Sequence, residues 1–260
     1  MTRFNIVHVA LDPPTLLETN LVKQVAAGLN KDVYETRLLL SGKIPKIVAH
    51  YDAEEAAEFA VKTLSSLGLV AFTVDDSELH KIATSTGEFI AHSLRVGEKE
   101  VSFLARNGAT KTINSKDIFM ILYGKMRVPI TTQETRTTMK LSVPATLITG
   151  GIPIWRKSEG SVKGTSFQTE YFVWLYDRFS PEPKIEVFES NFDYGSLGMK
   201  IMPSSSKNLE MLVIEIKEKF PEAILDSRLT EYTPAMQEDE IGTVCRLICL
   251  CHRARSGISR

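Results

Sequence analysis

Long hydrophobic runs are missing from this 260-residue chain: no apolar stretch approaches the ~20 residues a transmembrane helix needs. Nor do the first residues show a basic segment followed by a long apolar core. These absences exclude a helical membrane protein and predict a cytoplasmic one. Net charge is nearly absent too, −1 from 31 Lys plus Arg against 32 Asp plus Glu. Nothing global therefore favours nucleic acid, whose phosphates select a basic excess. Cysteine is scarce and bunched. Cys245, Cys249 and Cys251 crowd one segment, an odd number without the distributed spacing of a disulfide framework, in keeping with a reducing compartment.

Catalytic signatures are missing as well. No G-x-S-x-G elbow marks a serine nucleophile, and Gly160 to Ser166 lacks the spacing of a phosphate loop. Asp75, Asp76 and Glu78 lack a calcium-loop pattern. Cys245, Cys249 and His252 would share one face of a helix, which makes them the candidate zinc ligands. No paired C-x-x-C completes a typical structural site, and core packing is the commoner role of such cysteines. No cofactor is expected. His8 and His50 lie in apolar strands, where a hydrogen-bonded histidine is the default.

What is present is clearest between Lys43 and Asp76. Lys46 to His50 is a short β-branched strand, and Asp52 with Glu55 has capping-box-like spacing before a helix. Ala57, Ala60, Val61, Leu64 and Leu67 line one helical face, Gly68 ends it, and Leu69 to Val74 reads as a covered strand. Upstream, Phe4 to Ala10 is a strand, Asp12-Pro-Pro14 breaks it, and Leu21, Val22, Val25 and Leu29 form a helical face that Asn30 can close. A second short helix from about Asp32 to Leu40 completes a β-α-α-β-α-β order.

Over roughly residues 4 to 76 that order resembles the C-terminal domain of the bacterial ribosomal stalk protein, a small module that contacts translation factors. The resemblance implies a bacterial protein and a factor-binding first helix. Lys23 matches a basic position of that helix, while Ala26 stands where an arginine is expected.

Beyond a connector at 81–88, the chain turns β-rich. Asn107-Gly108 predicts a two-residue hairpin turn, Ile118 to Tyr123 a central strand, and Glu170 to Tyr176 and Lys184 to Phe188 two more. Lys184 and Glu186 predict a solvated face on the last of these. Residues 129–166, rich in threonine and broken by Gly150-Gly151, read as an exposed excursion with a possible strand at Leu141 to Ile148 and a loop at Gly160 to Ser166. Ser205 or Ser206 caps a helix carrying Leu209, Leu212, Val213, Ile216 and Phe220, which Pro221 stops. Strands followed by one helix over 89–221 resemble the pleckstrin-homology-like arrangement.

The expected fold class is α+β: a small β-α-α-β-α-β module at 1–80, then a mostly antiparallel β domain at 89–224 closed by a helix. A tail at 225–260 could dock as a further strand or helix. The expected function is non-enzymatic, a protein-interaction or regulatory module whose partner is another protein, with no membrane and no nucleic acid. Binding candidates are Lys23, Arg37, Arg156 and Lys157; Trp155 beside the last two joins an aromatic to two cations. Two alternatives stand beside it: an enzyme with a cleft site lined by 129–166, and an RNA- or ribosome-associated factor whose basic residues converge.

Overall fold

The structure, a computed structural model, describes residues 6–80, 89–97, 100–141, 155–231 and 238–258. Apolar periodicity builds the first module as expected: β1 (Val7–Leu11), α1 (Thr19–Leu29), α2 (Val33–Leu40), β2 (Lys46–Tyr51), α3 (Glu54–Ser66), β3 (Ala71–Asp75) and a short α4 (Asp76–His80). Strand β1 is central and antiparallel to both neighbours. Strands β2 and β3 therefore run parallel, and α3 is the crossover such a pair requires. Val22, Val25 and Leu29 of α1 and Ala57, Ala60 and Leu64 of α3 pack on Val9, Leu11 and Val48.

The helix ends show which local signals act. Asn30 is left-handed (φ 52°), and the Lys31 N–H donates to the Ala26 carbonyl at 2.9 Å, closing α1. The Asp32 carboxylate accepts from the Tyr34 and Glu35 N–H groups at 2.7 and 3.3 Å, capping α2. Asp52 does not cap α3. The N-cap is Ala53, without a side-chain bond, because β2 runs on to Tyr51 and leaves Asp52 one position early; Glu54 and Glu55 supply the first-turn charge instead.

The second half contains β4 (Ile90–Ala91), β5 (Ser93–Val96), β6 (Glu100–Leu104), β7 (Thr110–Asn114), β8 (Met120–Leu141), β9 (Trp155–Tyr176), β10 (Ile185–Phe188), α5 (Ser205–Lys219), β11 (Ile224–Asp226), α6 (Arg228–Glu231) and α7 (Glu238–Arg255). One sheet has the order β11-β8-β9-β10-β4, the other β5-β6-β7. Pairing is mostly antiparallel, with β11 and β4 joining parallel at the two edges. Phe103, Ile113, Ile121, Val173 and Ile185 share a core with Leu209, Leu212 and Ile216 of α5. The fold class is α+β.

Several expectations for this half are corrected. The β6–β7 connection is not a two-residue turn: Ala105 N–H donates to Ala109 carbonyl at 2.9 Å, which closes a three-residue loop in which Gly108 alone has positive φ (84°). Gly160 to Ser166 is not a loop but part of β9, and 129–141 belongs to β8. Threonine favours strands, yet without apolar alternation it reads as surface. The proposed strand at 141–148 lies, past Leu141, outside the described residues, as does the connector 81–88. The Glu186 face of β10 is not solvated, since Glu186 is 5% exposed and its charge acts on the Cys245 thiol of α7.

Compact units divide the chain differently from the order of its elements. Met1–Met126 with Glu170–Arg260 forms one unit, and Arg127–Thr169 the other. In the first, α7 is buried from Cys245 to Arg253. Leu247, Leu250 and Cys251 pack on Ala10, Phe72 and Val74 of the N-terminal sheet, the face opposite α1 and α3. The second unit is the remainder of β8 and β9, a two-stranded ribbon. Its strands are antiparallel, because the Phe119 N–H next to the start of β8 donates to the Tyr176 carbonyl at the end of β9 (2.8 Å).

Gly124 marks a close approach in β8. A Cβ there would lie 2.7 Å from both Leu229 Cβ and Phe172 Cζ. Gly124→Ala is expected to destabilise the fold by about 1–3 kcal/mol, read as a lower urea midpoint, because neither the α6 backbone nor a packed ring yields easily. An unchanged midpoint would mean that the contact relaxes freely.

Candidate functional site

Five charged or ionisable residues from three separated stretches meet where β1, β11 and α7 end and α6 begins. Asp12 follows β1, Asp226 closes β11, Arg228 opens α6, and His252 and Arg255 sit in the last turn of α7. Apolar strands ending in Asp12 and Asp226 bring the two carboxylates inside the fold, where each is nearly fully buried. Asp226 Oδ2 pairs with His252 Nε2 at 2.7 Å, and Arg228 donates to both Asp226 oxygens, Nε at 3.0–3.2 Å and a terminal nitrogen at 2.8 Å. The other arm of Arg228 donates to Asp12 Oδ1 at 2.7 Å and to the Lys43 carbonyl at 3.0 Å. Arg255 donates to the remaining Asp12 oxygen.

Each carboxylate is thus shared between two cations or a cation and an imidazole, which offsets the cost of burying charge. Burial alone would raise the Asp226 pKa. Hydrogen bonds from His252 and Arg228, with the Arg228 charge, outweigh it and hold the carboxyl well below the usual carboxylate range. Burial lowers and the Asp226 and Asp12 charges raise Arg228, the carboxylates prevailing. The thiols move the other way. Cys251 is pushed up to about 12 by burial and then by Asp12, and Cys249 to about 12 by burial against the pull of Arg253 and Arg246. Burial and Glu186 raise Cys245. No thiolate nucleophile is available.

Cys245, Cys249 and His252 do lie on one helix. His252 is engaged by Asp226, however, and both thiols are buried and protonated. Among the described residues no group of three or more His, Cys, Asp or Glu is placed to hold a metal ion. His8 and His50 are hydrogen-bonded to each other, Nδ1 to Nδ1 at 2.6 Å, and His8 Nε2 reaches Asp76 Oδ1 at 3.1 Å. That contact takes one proton, since one ring must donate and the other accept.

Lys23 is exposed on α1 and Arg37 on α2, while Arg156 and Lys157 lie on β9 in the ribbon unit, where only backbone is described. In the basic tail, Arg253 is buried and Arg255 is tied to Asp12. Arg37 stands within an exposed stripe of α2 formed by Val33, Tyr34 and Leu38, with Tyr34 71% exposed. Periodicity missed this stripe because it reports which apolar residues could face a core, not which are left outside. It missed the ion network because its members are single charges, scattered along the chain, that no spacing connects.

A cavity of about 450 Å³ lies between Phe89, Ile90, Arg106, Asn107 and Asn191, and a second at the end of α7. Neither assembles an acid, a base and a nucleophile. Comparison of the chain with protein-family profiles, with curated proteins and with solved structures finds no match.

Asp226→Asn is expected to cost about 3–5 kcal/mol at neutral pH, because it leaves the Arg228 charge underpaired in a buried site. The wild-type carboxyl titrates lower folded than unfolded, where its pKa is ~4, so its stabilisation is full above that pH and declines as pH falls further. Denaturant unfolding from pH 7 to pH 3 should therefore show a steeper acid loss for the wild type than for the variant. Parallel curves would assign the acid response to other groups.

Proposed function

We propose that the chain is a non-enzymatic protein-interaction module whose partner-facing surface is the exposed stripe of α2. The carrying observation is the stripe itself: Val33, Tyr34 and Leu38 spend apolar area on solvent around the cationic Arg37. Tyr and Arg are the residues that most often dominate binding energy at protein interfaces, and a short rigid helix presents them at little entropic cost. The commitment of buried acids to structural bonds supports the same reading. Asp12 and Asp226 are closed by arginines and His252, and Glu170 accepts from the Ser190 N–H and hydroxyl at 2.9 and 2.8 Å. The β-α-α-β-α-β order of the module also favours a factor-binding role like that of the ribosomal stalk domain it resembles, with Lys23 on the neighbouring helix.

A second reading, nucleic-acid binding, rests on the ribbon. Residues 127–169 hold six Lys or Arg against two Glu, whereas the remainder holds 25 basic against 30 acidic residues. Arg127 also lies over the Phe167 ring at 5.0 Å, a cation beside an aromatic platform.

Affinity capture from cell extract separates the readings. Tyr34→Glu with Leu38→Glu, both exposed, should leave the melting temperature nearly unchanged and abolish capture of the protein partner. Retention of the same partners by the double variant would refute the α2 surface. Loss of nucleic acid, with slope in salt, from a variant carrying Arg156→Gln and Lys157→Gln would favour the ribbon instead.

A further inference from the structure

Four arginines, at 228, 246, 253 and 255, are gathered around α7, and three of them are matched to carboxylates. Arg228 takes Asp226 and Asp12, Arg255 takes Asp12, and Arg246 takes Glu182 at 2.6 Å. Arg253 is 7% exposed and, among the described residues, makes no side-chain hydrogen bond or ion pair. The carboxylates that act with it on the Cys249 thiol are already committed, Glu182 to Arg246 and Asp177 to Lys184 at 3.5 Å. A guanidinium carries five donors and does not shed its proton, and the Arg253 nitrogens keep contact with solvent although the residue as a whole is 7% exposed, so its donors are open to an acceptor from outside the fold.

Arg253 is also the one charged residue lining a cavity of about 350 Å³. Val61 of α3, Phe72 of β3, Leu250 and Ala254 of α7 and Ile258 form its apolar walls. The end of α7 shapes it. Gly257 adopts φ 66°, and the Ile258 N–H donates to the Arg253 carbonyl at 3.1 Å, which turns the chain back so that Ile258 closes one side. A cavity of this size, mainly apolar with Thr73 and one cation as its polar lining residues, has the makeup of a small-molecule site.

We propose that this cavity binds a small carboxylate with an apolar body, such as a medium-chain fatty acid, its carboxylate on the Arg253 guanidinium and its chain against Val61, Phe72 and Leu250. A monoanionic carboxylate neutralises the single cation and matches its planar fork, giving two parallel hydrogen bonds. Phosphate would bring a second negative charge among apolar walls with no second cation to meet it. Acetate would satisfy the arginine and leave the walls unused. The site goes beyond the α2 surface and does not depend on it.

Calorimetric titration of the intact protein with octanoate, octanol, acetate and inorganic phosphate tests the proposal. Octanoate should bind one to one, with octanol and acetate each at least about tenfold weaker and phosphate weaker still, as loss of a charged hydrogen bond or of apolar burial implies. Arg253→Met should weaken octanoate roughly ten- to hundredfold. Its melting temperature without ligand should not fall below that of the wild type, because the guanidinium makes no side-chain bond to the described residues and an apolar chain of similar length replaces it. The proposal is overturned by equal octanoate affinity in wild type and Arg253→Met, or by octanol or acetate binding as tightly as octanoate. Tighter binding of phosphate, or failure of octanoate to bind the wild type at all, overturns it too. An unfolded or less stable Arg253→Met would likewise contradict it, by showing that the guanidinium is already serving the fold.

Discussion

Burial of α7 is the constraint on which the rest of the large unit depends. An 18-residue helix packs Leu247, Leu250 and Cys251 against one sheet and places the buried Cys245 thiol in the field of Glu186 on another. Each large side chain buried there contributes ~1.5–3 kcal/mol. The ion network then fixes how the helix ends. His252 and Arg255 reach Asp226 and Asp12, which close strands of different sheets, so a shift of α7 by one turn would leave each of two buried carboxylates with Arg228 as its remaining charged partner. Apolar burial supplies the attraction, and the charges supply the register.

The arrangement also accounts for the chemistry of the interior. Burial raises the thiols and would raise the Asp226 carboxyl, but hydrogen bonds from His252 of α7 and Arg228 of α6 hold that carboxyl ionised. The same helix carries the basic residues His252, Arg253 and Arg255 in its last turn, and the two arginine charges are favourable to its dipole. Two of those three side chains are consumed by the network. The third, Arg253, is left facing a cavity, and that asymmetry is what distinguishes a possible ligand position from structural charge.

How much of this was legible in the sequence varies with the range of the forces involved. Asn30, Asp32 and Gly68 act on their own neighbours, and the elements they delimit fall where their chemistry puts them. Asp52 shows the limit of that logic: its residue type suits a cap, but strand pairing of β2 decides where α3 starts. Val244 to Cys251 is apolar apart from Arg246, so periodicity alone left helix and strand open. Only the presence of two sheets, hundreds of ångströms of contour apart in an extended chain, explains why both sides of it are covered. Threonines at 131, 132, 135, 137 and 138 misled because their β propensity, without apolar alternation, reads as surface, whereas they lie within β8. Asp12, Asp226, Arg228 and Arg253 carried no local mark at all.

Hydrogen-exchange mass spectrometry across a urea series tests most directly whether α7 makes one cooperative body of the N-terminal sheet and the sheet containing β9 and β10. Peptides covering β1 and β3 and peptides covering β10 should lose protection at the same urea concentration as those of α7. Protection of β1 and β3 that persists after α7 and β10 have exchanged would contradict the account, showing that the first module is stable alone and that the helix merely rests on it.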